Sequence, residues 1–147
     1  QGGQNGYYFE SRYSQEMIVG DLVKRKPITS TKDATLAEIA RLMKENEVGS
    51  VVIVDEGMRP VGIITERDVV MAVADGVPVT SKAERVMSGE PVQVNAKSDI
   101  TEALALMLSR NIRHLVVVND EGVLIGVVSS RDLLRAVGSI ALDLSIW

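Results

Sequence analysis

The chain holds 147 residues, 46% hydrophobic and 24% charged, the make-up of a folded protein with one compact domain or two very small ones. A formal net charge of −4 argues against a general nucleic-acid-binding or anionic-membrane surface. The absence of cysteine and the single histidine, His114, exclude disulfides, thiolate chemistry and a His-rich metal cluster, so no metal site is expected.

Aromatic residues make up only 3% and sit at the chain ends, as Tyr7, Tyr8, Phe9, Tyr13 and Trp147. The core must then be built from aliphatic side chains and methionine, and a planar ligand held there would lie against aliphatic groups. Aromatic-platform binding of single-stranded nucleic acid is thereby disfavoured. No apolar run approaches the ~20 residues that span a bilayer, and no signal-peptide pattern is visible, so a cytoplasmic protein is expected.

In chain order, a tail over 1–16 precedes a segment that repeats. Its first residues, Gln1–Gly6, have the look of an appended remnant. Asp21–Val73 laid over Arg85–Val137 without gaps, at an offset of 64, pairs Pro27 with Pro91, Glu38 with Glu102, Met43 with Met107, Gly62 with Gly126, Arg67 with Arg131 and Asp68 with Asp132. Each copy opens with a short extended piece, Ile28–Thr29 or Val92–Val94. Helical periodicity follows over Thr35–Asn46 and Asp99–Arg110, with Asp33 and Ser98 as candidate caps. The runs Val51–Val54 and Leu115–Val118 read as strands buried on both faces. Turn residues Asp55-Glu56-Gly57 and Asn119 to Gly122 then lead into a second strand, Val61–Thr65 or Val123–Ser129, closing a hairpin. The last element is an apolar helix, Glu66–Ala74 or Ser130–Val137, and Gly76–Lys82 connects the copies. The order β-α-β-β-α thus occurs twice. One copy alone would leave a sheet face uncovered, which favours one integrated unit.

The strand-to-helix junctions Gly62-Ile63-Ile64-Thr65-Glu66-Arg67-Asp68 and Gly126-Val127-Val128-Ser129-Ser130-Arg131-Asp132 carry the chemistry. A strand ending in Gly-x-x-Thr delivers a hydroxyl at a helix mouth, where unpaired N–H groups and the dipole suit a phosphate. An Asp in the first turn can accept from vicinal ribose hydroxyls, and Arg67 or Arg131 adds positive charge. The same residues also read as plain helix caps and dipole-stabilising acids. No P-loop, GxGxxG, GxSxG elbow or metal-ligand spacing is present, which argues against an enzyme with catalytic residues.

With these duplicated junctions and Asn111 to Val118 before the second hairpin, the chain resembles the cystathionine-β-synthase (CBS) domain family, as a tandem pair in a stand-alone regulatory protein. The resemblance implies an α/β (α+β) fold of two β-α-β-β-α repeats about a pseudo-twofold axis, with the sheets packed together and the helices outside. It places repeat one at 17–80, repeat two at 81–138 and a tail at 139–147. It further implies composite sites for an adenosyl ligand. Site one, preferred for its cations, combines Ile63, Thr65, Arg67 and Asp68 with Val92, Ile112, Arg113 and His114. Site two combines Val127, Ser129, Arg131 and Asp132 with Val23, Ile28, Val48 and Gly49 to Ser50. The adenine would be read by backbone near Ile28 or Val92. AMP is the foremost ligand, with ADP, ATP and S-adenosylmethionine also admissible.

The implied function is an energy- or metabolite-sensing regulatory module, and the alternative is a constitutive dimerisation scaffold with vestigial sites. A homodimer through helical faces is expected, with Val69, Val70, Val73, Leu133, Leu134 and Val137 as candidate interface residues. These also read as ordinary core. Output would pass to a separate effector protein, unless the chain is a fragment of a longer one. The terminal aromatics read as interface anchors or as a tail covering the module's own surface.

Overall fold

The computed structural model describes residues 17–145, and the terminal aromatics read as anchors lie outside them. The fold is mixed α/β with two sheets, as the resemblance implied. The chain divides into two compact units, each drawing on separated stretches of sequence.

The first unit comprises residues 26–92 with 120–124. Strand β1 (Thr29–Ser30) leads into helix α1 (Leu36–Asn46), then β2 (Ser50–Val54), β3 (Pro60–Thr65), helix α2 (Glu66–Ala74), a short helix α3 (Ala83–Val86) and β4 (Ser88–Gly89). Helix α1 falls within the expected Thr35–Asn46, but its cap is Thr35 rather than the expected Asp33. The Thr35 hydroxyl accepts from the Glu38 N–H at 3.1 Å, while the Glu38 carboxylate accepts from the Thr35 N–H at 3.2 Å. Asp33 sits too far upstream to reach the first-turn donors and instead meets the Lys82 ammonium at 3.2 Å. The helix ends where Glu47 turns left-handed at φ 53.

The strands order as β1-β2-β3-β4, with β1 parallel to β2 and the others antiparallel. All four residues of Val51–Val54 are buried, as a strand covered on both faces requires. Ile39, Met43, Val51, Ile53, Ile64 and Ala83 form the core, flanked by Ile28, Leu42, Val69 and Met87. Helix α3 and the edge strand β4 lie just after the connecting segment Gly76–Lys82, in the stretch ahead of Val92–Val94 for which the sequence predicts no element. In the hairpin, Asp55 Oδ1 accepts from the Gly57 and Arg59 N–H groups, both at 2.9 Å.

The second unit comprises residues 17–25, 93–119 and 125–145 of the described chain. A 3-10 turn (Val19–Leu22) begins it, followed by β5 (Gln93–Asn95), helix α4 (Ile100–Arg110), β6 (His114–Val118), β7 (Leu124–Ser129) and helix α5 (Ser130–Ser145). Its sheet runs β5-β6-β7, with Gln93, Val94 and Asn95 opposite Val116, Val117 and Val118 in parallel. Helix α4 is capped by Asp99, whose carboxylate accepts from the Thr101 N–H at 2.9 Å, and not by the expected Ser98. The Ser98 carbonyl instead accepts from the Val19 N–H at 2.8 Å. Asn111 repeats the left-handed stop of Glu47, at φ 52. Val19, Ile100, Ala103, Leu115, Val117, Val128 and Leu133 are buried.

Each motif glycine is covered by the segment that leads into the other copy of the repeat. A Cβ on Gly126 would collide with Val23 Cγ1 and come within 3.1 Å of its Cγ2. A Cβ on Gly62 would collide with Met87 Sδ and come within 2.9 Å of its Cγ. Val23 and Met87 are themselves related by the offset of 64.

Candidate functional site

The site residues follow from how β3 hands over to α2, and β7 to α5. Thr65 is extended (φ −105, ψ 167) and caps α2. Asp68 Oδ2 accepts from the Thr65 N–H at 2.8 Å and from the Thr65 hydroxyl at 3.0 Å, and the Asp68 N–H reaches back to Thr65 Oγ1 at 3.4 Å. In the second unit Asp132 Oδ2 accepts from the Ser129 N–H at 2.9 Å, and the Asp132 N–H donates to Ser129 Oγ at 3.2 Å. Capping therefore engages only one oxygen of each carboxylate. Oδ2 closes the helix, while among the described residues no donor meets Oδ1 of either aspartate. An ionised Oδ1 retains its lone pairs for incoming hydroxyls.

The helix mouths are narrower for anions than the sequence implies. The Glu66 N–H donates to the Gly49 carbonyl at 3.0 Å, and the Ser130 N–H to the Arg113 carbonyl at 2.8 Å. With the Asp68 and Asp132 N–H groups also taken, the Arg67 and Arg131 N–H groups are the first-turn donors left over among the described residues. The Arg67 and Arg131 side chains are exposed, and Thr65, Ser129 and both aspartates are half-buried.

Of the residues assigned to site one, Ile63, Thr65, Arg67, Asp68 and Val92 lie in the first unit, and Ile112, Arg113 and His114 in the second. Of those assigned to site two, Val23, Val127, Ser129, Arg131 and Asp132 lie in the second unit, and Ile28, Val48 and Gly49 in the first. Within the first unit Ser50 pairs with Thr65 across β2 and β3, which sets Gly49 against the start of α2. A Cβ at Gly49 would face the Glu66 carboxyl group at 3.6 Å. Within the second unit Arg113 takes the matching place against Ser130. The Ile28 carbonyl is engaged by the Val52 N–H at 3.0 Å. Glu66, Ser130 and Met87 were not singled out from sequence, although comparing the two copies position by position displays the Glu66/Ser130 difference.

The apolar helix residues divide. Leu133 is buried and Val69 packs on the first unit's core, whereas Val70, Val73 and Leu134 are 65%, 61% and 62% exposed. Among the described residues, no group of His, Asp or Glu could hold a metal ion, and no helix is long and apolar enough to cross a membrane.

The family model for the CBS domain matches residues 19–75 and again 83–139. The chain superposes on a CBS domain protein from Pyrobaculum aerophilum complexed with AMP with a TM-score of 0.79 at 35% identity, covering 89% of this chain and 100% of that one. It also superposes on the CBS domain pair of protein MJ0100, in complex with 5′-methylthioadenosine and S-adenosyl-L-methionine, at 0.77 and 27% identity, covering 84% and 97%. An uncharacterized protein of Methanopyrus kandleri is 42% identical over 123 residues, which are 82% of this chain but only 63% of that relative.

Proposed function

The chain belongs to the CBS domain family, as a tandem pair, and from that premise we propose that it is a regulatory module that binds an adenine nucleotide, AMP foremost, and transmits ligand state to a dimer mate or an effector protein. The observation that carries this reading is the pair of open Oδ1 atoms. Asp68 and Asp132 each close a helix through Oδ2 and leave Oδ1 without a donor among the described residues, at matched positions of a duplicated frame. A ribose diol donating to Oδ1 satisfies both of its hydroxyls on one ionised oxygen, a charge-assisted contact stronger than neutral ones. Ile63 and Val127, half-buried one turn of strand before the hydroxyls, offer aliphatic surface for a purine. The AMP bound by the Pyrobaculum relative supports the ligand class.

The test is binding to the intact chain. Calorimetry with AMP, ADP, ATP and S-adenosylmethionine should yield heat for at least one, and that ligand should raise Tm by mass action, about 2.7 kcal/mol at a hundredfold excess over Kd. Silence towards all four up to millimolar concentration would sink the proposal. A second reading, a constitutive association module, is favoured by the exposed Val70 and Val73 on α2 and Leu134 on α5. Sedimentation equilibrium separates the two readings, since an assembly indifferent to nucleotide supports the scaffold alone.

A further inference from the structure

We infer that the outer edge of β7 docks an extended acidic segment of a partner protein, which joins the second sheet as a fourth strand. The two sheets differ at this place. In the first, β4 covers the outer side of β3, with Gly62 opposite Gly89 and Ile63 opposite Ser88. In the second, the order stops at β7, and among the described residues no strand pairs with its outer edge. The residues related to Ser88 and Gly89 by the offset of 64 are Lys24 and Arg25, and neither belongs to a strand. The place left over lies beside Gly126 and Val127, the counterparts of Gly62 and Ile63.

Strand β7 has the make-up of an edge that accepts a partner. Its residues, Leu124-Ile125-Gly126-Val127-Val128-Ser129, include no charge and no proline. Edges that must stay single are blunted by such residues, and an edge without them offers its outward N–H and C=O groups to another chain. Ile125 is 37% exposed and Val127 half-buried, so one face of β7 offers aliphatic side chains for an added strand to pack on.

The charge beside the edge identifies the occupant. Val23 packs on Gly126, so Lys24 and Arg25 follow within about 4 and 8 Å of chain. Lys24, Arg25 and Lys26 are all exposed, whereas the counterparts Ser88, Gly89 and Glu90 include no cation. The nearest acid of the same segment, Asp21, accepts from the Ile18 N–H at 3.4 Å. A second copy pairing through its own β7 about Gly126 would bring like charges together, which disfavours self-association at this edge. A strand bearing Asp or Glu is attracted instead, its main-chain bonds supplying affinity and its charges supplying selection.

The test uses the full chain and a fluorescein-labelled hexapeptide of alternating glutamate and valine, read by anisotropy. Its comparisons are a lysine–valine hexapeptide and the acidic peptide N-methylated at alternate residues, which cannot complete the ladder. The acidic peptide should bind saturably, and both comparisons at least about tenfold more weakly. Lys24→Glu combined with Lys26→Glu, both at exposed positions, should weaken the acidic peptide about tenfold and favour the lysine one. Hydrogen exchange should slow at Gly126 or Val127 on binding and stay unchanged at Gly62 and Ile63, whose edge is already paired. No saturable binding up to millimolar peptide overturns the inference, as does equal binding of the N-methylated peptide, which signals charge attraction without strand addition. Slow exchange at both Gly126 and Val127 in the protein alone also overturns it, because the edge is then covered by this chain or a second copy.

Discussion

Replacing Gly126 by alanine isolates the contact that ties the lead-in segment to the second unit. In a strand whose backbone suits any residue, Gly→Ala alone stabilises by about 0.5–1 kcal/mol, because the unfolded chain loses freedom. Here the new methyl would run into Val23 Cγ1, with Cγ2 at 3.1 Å and Cβ at 3.3 Å. Val23 is β-branched and stiff at χ1, so it yields little by rotation. Its backbone is also held, the Val23 N–H donating to the Gly20 carbonyl and the Gly20 N–H to the Ala96 carbonyl. Overpacking of this kind costs about 1–3 kcal/mol, so the net effect of Gly126→Ala is a loss of about 1–2 kcal/mol. In a chain of this size that lowers Tm by about 3–6 °C. Val23→Ala should restore the double variant, with a coupling of at least about 1 kcal/mol between residues about a hundred positions apart. The assay is urea unfolding of the four proteins in the cycle. An unchanged or raised stability in Gly126→Ala, or strict additivity with Val23→Ala, would refute the reasoning. Gly62→Ala provides the contrast, because the Sδ and Cγ of Met87, an unbranched side chain, can swing aside and leave only its Cβ, at 3.2 Å, in the way, so its cost should be the smaller of the two.

Other outcomes follow from the same contacts. Thr35→Ala removes one arm of the capping box on α1 and should cost about 1 kcal/mol in denaturant unfolding, whereas Asp33→Ala, which breaks a solvent-exposed ion pair with Lys82, should leave the midpoint unmoved. Asp68→Asn combined with Asp132→Asn keeps an amide oxygen for the capping bonds but removes both charges. The ligand-free Tm should then fall by no more than about 1 kcal/mol equivalent while the AMP-dependent shift disappears; a shift that persists in full would remove the aspartates from the binding reading. Val19→Ala, at a wholly buried position, should cost about 2 kcal/mol, and hydrogen exchange should rise in β5 to β7 while β2 and β3 keep their protection.

The regular elements were legible because each is written twice. Val51–Val54 and Leu115–Val118 show the same uninterrupted burial, and the Gly-x-x-Thr/Ser junctions place their hydroxyls at helix starts as their spacing suggests. The caps of α1 and α4 were misplaced by one or two residues, although the pattern Thr35-Leu36-Ala37-Glu38 is itself a readable capping box. What could not be read was the destination of the short lead-in pieces. Val23 on Gly126 and Met87 on Gly62 are contacts of single side chains with no periodicity, and β4 is an edge of two residues whose pairing is set by the sheet it joins. The atom-level split on Asp68 was likewise invisible, since sequence gives a carboxylate but not which oxygen the helix consumes.

The lead-in segments have a consequence for what counts as one copy of this protein's duplication. Read as text, a copy begins ahead of its first strand and carries its own preface. Read as a folded object, the copy over 26–92 ends with the preface written for its successor, and residues 17–25 serve the later copy. Period and phase are thus separate properties: the spacing of 64 is preserved, but the point at which one copy yields to the next is displaced by a segment. Cutting the chain at the textual boundary near residue 80 would strip Met87 and β4 from the first sheet and strand Val19 without the strands that bury it. A permuted chain opening at Lys26, with residues 17–25 moved to the end, would instead bring phase and period into line.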